Sequence, residues 1–514
     1  MFVKNFVEKD KYYDSVFLMK LARNLVETGI AKNASVGMGT PLNKETMSDL
    51  KLLCEEGKEA SPNDLIIAVS ADTEEKCDLA RDEFFKLLEE KAKSGNERKF
   101  RSIQGVKTID PNVNLAIISV AGEYAAKEAE KALLNGLNVF MFSDNVPLED
   151  EIRLKKLAEE KNLLMMGPGC GLSFINGVAI GLCSMVRRGN IGLVGASGSG
   201  IQTVMTLVHK YGFGISNAIG TGGRDMSDEV GGITMLRGIR ELENDPETKV
   251  IALISKPPAK STLIKVVEAV KKCKKKVVIQ FINGDNDYIR KNGILCSESF
   301  EETAKMVMEL ASGKKIELKD DTDYADIAEV EMKKYAPSQK YFRSILCGGS
   351  LADEGLVMLE KSGIETYSNV AFDNEHALKN PFESYKNTVI DIGDENFTKG
   401  RAHVAIDPSV RVQRFIKEAR DPETAVIYLD FLLGYALCPD PASVMAEAIK
   451  QEKKNAVENG RHLTVIATIC GSDMDPQGYD DQYQKLTDAG VIFKDTNRKA
   501  VKLIIEIAKR MEEK

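Results

Sequence analysis

Tryptophan is absent from the 514 residues, and aromatic side chains make up only 6% of them. That excludes the row of stacking platforms by which proteins hold single-stranded nucleic acid. Positive charge is not in excess either. The 70 Lys and Arg stand against 78 Asp and Glu, a formal net charge of −8, which rules out a polyanion-coating surface but not a local basic pocket for one small anion. No apolar run approaches the roughly 18 residues of a membrane span, and the charged start MFVKNFVEKDKYYDSVF lacks the apolar stretch of a signal peptide. The expectation is a cytoplasmic protein with no nucleic-acid partner and no membrane partner. Histidine occurs only at His209, His376, His403 and His462, and the nine cysteines include no C-x-x-C pair. Neither residue clusters at ligand spacing, so no metal site is expected. The cysteines read as free thiols of a reducing compartment.

What the chain has instead is alternation. Apolar runs at 65–69, 115–120, 138–142, 191–194, 250–254, 276–281, 426–429 and 463–468 predict strands covered on both faces. Helical patterns follow at 123–135, 201–211, 261–273 and 442–458. Strand–helix–strand repetition predicts an α/β fold with parallel sheets and right-handed crossovers. Length predicts three or four domains. The boundaries fall at 1–187, 188–313 and 341–514, with a charge-dense linker at 314–340 and a polar surface insertion at 90–110.

An internal repeat flanks the linker. NIGLVGASGSGIQTVMTLVHKYG opens one copy and RSILCGGSLADEGLVMLEKSG the other. Each is a strand, a Gly/Ser turn and a helix ending at Gly. Each copy then has a Gly-Arg loop, Gly223-Arg224 and Gly400-Arg401. The run Gly195, Ala196, Ser197, Gly198, Ser199, Gly200 sits between strand and helix. Small residues there let backbone N–H groups approach an anion, and the helix N-terminus adds partial positive charge. The alternative is a tight turn that needs glycine for its own sake. No Gly-Lys-Ser/Thr follows, so it is not a Walker A loop, and the glycine spacing is not the dinucleotide fingerprint. Gly348, Gly349 and Ser350 are its counterpart in the second copy. If both turns and both arginines serve one phosphate, Arg224 and Arg401 must lie within roughly 12 Å of each other, from two hydrogen bonds and the width of the ion.

Other candidates each carry a plainer alternative. Arg224 offers a planar fork for phosphate, or pairs at the surface with Asp225 or Asp228. His403, in a loop with Arg401, reads as a general base or anion ligand, or as an exposed loop histidine. Lys256 precedes Pro257-Pro258, which extend the chain as it leaves a strand and aim the ammonium into a cleft, or into solvent. Cys170 reads as a contact for a thioester group, or as a buried thiol. Ser143 and Asn145 end another strand as ligand contacts, or as a capped turn. His209 and His462 read as structural, and Arg411 as the opening of a helix.

The stretch LMMGPGCGLSFINGVAIGLCSMVRRGNIGLVGASGSGIQTVM resembles the α-subunit of succinyl-CoA synthetase. The resemblance is closer to the FdrA family, on ISVAGEYAA, MFSDNVPLEDEI, GASGSGIQ, IGTGGRD, SKPPA, GRAHVAIDPSVR and DPQ, and it runs nearly the full length. It implies a Rossmann-like, CoA-binding-type domain followed by two flavodoxin-like, succinyl-CoA-ligase-type domains. The second of these resembles the C-terminal part of the synthetase β-subunit, on LDFLLGYALCPDPASVMAEAI and ATICGSDMDPQ.

The departures are specific. The synthetase α-subunit carries a phosphorylated histidine in a Gly-His-Ala-Gly loop, whereas the corresponding strand here, VVIQFING, leads to DNDYIRKNGIL, with no histidine between His209 and His376. The nucleotide-binding ATP-grasp domain has no counterpart, and the Gly-Pro-Asn-Cys turn reads Gly167-Pro168-Gly169-Cys170. Some FdrA members are assigned, with two companion subunits, to carbamoyl transfer from carbamoyl phosphate to oxamate, which needs neither phosphohistidine nor nucleotide. By resemblance, then, the chain is a transferase subunit with carbamoyl phosphate as substrate and no firm cofactor, CoA entering only through the resemblance. Its partners would be small anionic substrates, companion subunits and a second copy of itself. An acid–CoA ligase and a non-catalytic scaffold are the alternatives.

Overall fold

The computed structural model describes residues 2–9, 11, 13, 15–94, 102–320, 322–398 and 402–513. The chain forms two compact units. One comprises Met1–Arg101 with Glu395–Asp407, the other Ser102–Asp394 with Pro408–Lys514.

The first unit is built on a three-stranded antiparallel sheet. Leu65–Ala71 lies between Phe2–Glu8 and Asn33–Met38 and runs antiparallel to both. Every residue of Leu65–Ala71 is buried. Leu65, Ile67 and Val69 face Leu18, Leu25, Cys77 and Phe84 of two helices. Ile66 and Ala68 face Met47, Leu52 and Ala60 on the other side. Both faces are covered, so the strand reads as continuously apolar although its neighbours are antiparallel. This corrects the expectation of one Rossmann-like domain over 1–187, because an apolar run reports cover on both faces and not strand direction.

The second unit holds three sheets. Leu115–Ile118, Asn138–Met141 and Met165–Met166 are parallel, with helices Gly122–Leu134 and Leu148–Glu160 as crossovers. A seven-stranded sheet follows in the order Leu295–Cys296, Lys276–Phe281, Val250–Ser255, Arg188–Gly195, Ile215–Gly220, Leu172–Ile175, Val178–Gly181. Its first five strands are parallel. The hairpin Leu172–Gly181 is attached antiparallel through Phe174 and Ala218, so this sheet begins upstream of the expected boundary at 188. The third sheet is parallel throughout, ordered Tyr367–Ser368, Thr388–Asp391, Tyr341–Leu346, Thr424–Leu432, Thr464–Cys470, Ile492–Phe493. α/β architecture with parallel sheets is thus the fold.

The charge-dense linker carries the helix Tyr324–Met332, which docks on the last sheet. Glu331 pairs with His462 at 2.9 Å, and Tyr335 shares a 2.7 Å hydrogen bond with Thr464. His209 is structural too: its ring accepts the Arg187 N–H at 2.9 Å and reaches Asp473 at 2.5 Å. Among the described residues no helix is long and apolar enough to cross a membrane.

Candidate functional site

The two Gly/Ser turns meet. Strand Arg188–Gly195 lies so close to Val250–Ser255 that a Cβ on Gly195 would overlap the Ile254 carbonyl oxygen, so only glycine fits. The chain then passes Ala196 and Ser197 into helix Gly198–Lys210. In the second copy, Tyr341–Leu346 passes Cys347 and Gly348 into helix Gly349–Lys361, also 13 residues long. Neither helix is capped by its own N-cap side chain. Ser197 instead donates its hydroxyl to Ser350 Oγ at 2.7 Å, and the Ser350 N–H donates to Ser199 Oγ at 3.2 Å. First-turn amides have no acceptor inside a helix. The Ser350 amide is thus taken by Ser199, and neither N-terminus is closed by its own N-cap side chain, an arrangement suited to an anion.

Asp430 supports the second turn. It is wholly buried in strand Thr424–Leu432 and accepts the N–H groups of Cys347 at 2.7 Å and Gly348 at 2.8 Å. Arg411 pairs with it at 2.9 Å and also donates to the Ile345 carbonyl at 3.0 Å. Arg411 does lie in the first turn of a helix, Ser409–Arg420, but its guanidinium is in the core.

Charged groups from both parallel sheets gather beside the turns. Asp391 ends strand Thr388–Asp391, and a Cβ on Gly349 would stand 2.5 Å from its Oδ2. Burial pushes Asp391 up to about 7, Lys256 opposes this, and Asp353 and Asp394 add to it. Lys256 follows strand Val250–Ser255 and reaches across to Asp353 on helix Gly349–Lys361, with Nζ 2.9 Å from Oδ2. Burial lowers the Lys256 pKa, but Asp353, Asp391 and Asp394 outweigh it, so the ammonium is held charged. The Asp353 carboxyl is raised by burial against the pull of Lys256.

The other expected residues stand elsewhere. Arg224 donates to Glu151 Oε2 at 2.9 Å and to the Val146 carbonyl at 2.7 Å, so its fork is spent on a buried carboxylate and not on Asp225, Asp228 or an open loop. Glu151 in turn faces Lys155 at 3.0 Å, and Lys155 faces Asp225 at 2.6 Å, all three wholly buried. Asp225 accepts the N–H groups of Thr234 and Met235 at the start of helix Ile233–Asn244. Ser143 is buried and tied to Val120, accepting its N–H at 2.9 Å and donating to its carbonyl at 2.5 Å. Asn145 is exposed, with φ 54°, and donates to Asp144. Cys170 is buried, donates to the Leu172 carbonyl at 3.3 Å, and is pushed up to about 12 by burial. It is a core thiol. His403 belongs to the other compact unit, where its Nδ1 accepts the Ala405 N–H at 3.2 Å. Arg401 lies outside the described residues. Among the described residues no group of His, Cys, Asp and Glu is arranged to hold a metal ion.

Sequence reasoning missed Asp353, Asp391 and Asp430. The signal was present: Asp391 and Asp430 are carboxylates at the end of, or inside, mostly apolar strands, and a buried carboxylate needs partners or a task.

Family models match in three stretches: the AllF heavy metal-associated domain over residues 1–102, the CoA binding domain over 186–282 and CoA-ligase over 345–506. The fold is therefore that of a succinyl-CoA-synthetase-like protein, with CoA-binding and ligase domains. The CoA-binding match falls on the stretch expected as the first ligase-like domain, and 1–102 has a match of its own. YahF of Escherichia coli (strain K12) is 42% identical over 495 residues, covering 96% of each chain, and this chain belongs to the same family, the FdrA family. The succinate–CoA ligase [ADP-forming] subunit alpha of Aquifex aeolicus (strain VF5) is 31% identical over 151 residues, 28% of this chain and 48% of that one. The chain thus spans about half the length of that α-subunit. The dinucleotide-forming acetyl-coenzyme A synthetase 1 of Ca. Korarchaeum cryptofilum, in its apo form, overlaps 82% of this chain and 88% of its own with 15% identity and a TM-score of 0.35.

Proposed function

We propose that this chain is the FdrA-type subunit of a multi-subunit transferase acting through an acyl phosphate, with carbamoyl phosphate as donor and a small amide such as oxamate as acceptor. The observation that carries this reading is the junction at Ser197, Ser199 and Ser350 of two helix N-termini that have no side-chain cap from their own N-cap residue. Donors aimed at a phosphate stabilise the charge it gains as a leaving group. A C–N bond forms between the acceptor nitrogen and the carbamoyl carbon, the C–O bond to phosphate breaks with its electron pair on phosphate, and the nitrogen loses a proton. Asp391, pushed up to about 7, is the group beside the turns suited to take that proton near neutral pH. Lys256 takes the charge-balancing part expected of Arg224, whose fork Glu151 occupies.

The test is to reconstitute the chain with its companion subunits and follow phosphate release from carbamoyl phosphate, with and without oxamate. Acceptor-dependent release is expected. Its absence across a panel of small amides and amines would overturn the reading.

The match to the CoA binding domain favours a second reading, an acid–CoA ligase. That enzyme needs a phosphocarrier, and the histidine within 186–282, His209, is held by Arg187 and Asp473. Incubation with labelled ATP and a partner subunit is expected to leave no acid-labile phosphohistidine, and a CoA-dischargeable label would reverse the ranking of the two readings.

A further inference from the structure

A cavity of about 530 Å³ lies apart from the Gly/Ser junction, between the C-terminal end of strand Lys276–Phe281 and helices Gly349–Lys361 and Asn497–Glu512. That volume is within the range of clefts that hold small organic molecules and is far larger than a two-carbon acid needs. The C-terminal ends of parallel strands are where open α/β sheets bind ligands.

Three features of the lining point to one kind of ligand. First, Gln280 lies at the floor, 1% exposed, and its Oε1 is buried with no hydrogen-bond partner. A carbonyl oxygen buried without a partner is costly. Glu354, also in the lining, accepts the Phe300 N–H at 3.0 Å and Asn497 Nδ2 at 2.8 Å. Second, Ile282, Val357, Met358 and Ile505 form an apolar wall. Third, the lining carries Lys361, Arg498, Lys502 and Lys509 against the carboxylates Glu298, Glu354 and Glu506, the last of which pairs with Arg510 at 2.6 Å. Lys361 and Lys502 are paired with Glu298 and Asp320, but Arg498 stands 3.8 Å from Glu301 and Lys509 has no ion-pair partner among the described residues.

We propose that this cavity is a second binding site, for a nucleotide-sized organic anion whose uncharged end carries a hydrogen-bond donor for the Gln280 Oε1. Nucleoside monophosphates have that chemistry: a base edge for Gln280, a flat body for the apolar wall, and a phosphate for Arg498 and Lys509. The site does not depend on the carbamoyl reading, since none of these residues belongs to the junction at Ser197 and Ser350.

Calorimetric titration of the full chain with AMP, GMP and UMP tests this, with adenosine and ribose 5-phosphate as the two halves of the ligand. At least one nucleotide is expected to bind saturably at one per chain and more tightly than either half. Gln280→Leu and Arg498→Ala should each weaken that binding by about tenfold or more. Val357→Trp, which fills the cavity from the partly exposed face of its helix, should abolish it, and serves alone if Gln280→Leu fails to fold. Failure of all three nucleotides to bind overturns the site. So does binding that survives Val357→Trp, or adenosine or ribose 5-phosphate binding as tightly as the nucleotide.

Discussion

Ser197 and Ser350 share a 2.7 Å hydrogen bond between two helix N-termini 153 residues apart. A serine at an N-cap ordinarily satisfies amides of its own helix. Here the hydroxyl joins two domains and caps no amide of its own helix.

A double-mutant cycle measures that bond. Ser197→Ala and Ser350→Ala should each cost about 1 kcal/mol in urea unfolding. The double variant should lose less than the sum, with a coupling of about 0.5–1.5 kcal/mol. Strict additivity would mean the two hydroxyls do not interact.

Lys155 is predicted to be the stability-critical residue of the Arg224 loop. Lys155→Met leaves Glu151 and Asp225 buried without their shared cation, and loss of one partner from such a group costs about 3–5 kcal/mol. Arg224→Ala removes a side chain that is 46% exposed and should cost clearly less. Denaturant melts of the two variants rank them, and equal losses would contradict this arrangement.

Asp391 sets a pH dependence whose sign is fixed by burial. Its carboxyl rises from 3.8 unfolded to about 7 folded. The folded state therefore holds a proton the unfolded state releases, and this contribution to stability is full below about pH 4 and lost as pH rises to about 7. Asp391→Asn should match the wild type at pH 4 and gain on it through pH 7, by an amount on the order of a few kcal/mol at pH 8. Thermal melts across that range check it. A gain that is the same at pH 4 and pH 8 would rule out the titration.

Lys256 and Arg224 separate in the reconstituted assay. If Lys256 balances charge at the junction, Lys256→Ala should slow acceptor-dependent phosphate release by roughly 10²-fold, a typical cost for an electrostatic donor. Arg224→Ala should leave the rate near wild type. The reverse pattern would return the role to Arg224.

Cys170 should resist alkylation in the folded chain. Its thiol is buried and pushed up to about 12, and the thiolate is the reactive form. Iodoacetamide followed by peptide mapping should find Cys170 modified only after denaturation.

Several features of this protein are written locally and were legible without coordinates. The helix expected at 442–458 is Pro441–Glu458, and the strand expected at 276–281 is Lys276–Phe281. Apolar periodicity reports burial of individual elements, and both elements pack as that pattern demands. The FdrA motifs and the paired Gly/Ser turns were equally readable, because a strand–turn–helix junction needs small residues at adjacent positions.

Partnership was not legible, because it joins positions far apart in the chain. Leu65–Ala71 is as apolar as any parallel strand, yet its neighbours run antiparallel, and only packing decides which strands share a sheet. In the sequence Arg224 reads as a phosphate ligand or as the partner of Asp225 or Asp228, because its actual partner, Glu151, lies 73 residues upstream on a helix of another sheet. Asp391 and Lys256 come together only when two sheets bring their C-terminal edges to one place. The sequence by itself determined which segments are strands, helices and glycine turns, since each depends on neighbours a few residues away. The tertiary structure decided which charges are paired, which carboxyl is pushed toward neutrality and which amide faces a cavity, since each depends on what the fold brings beside it and on the water it removes.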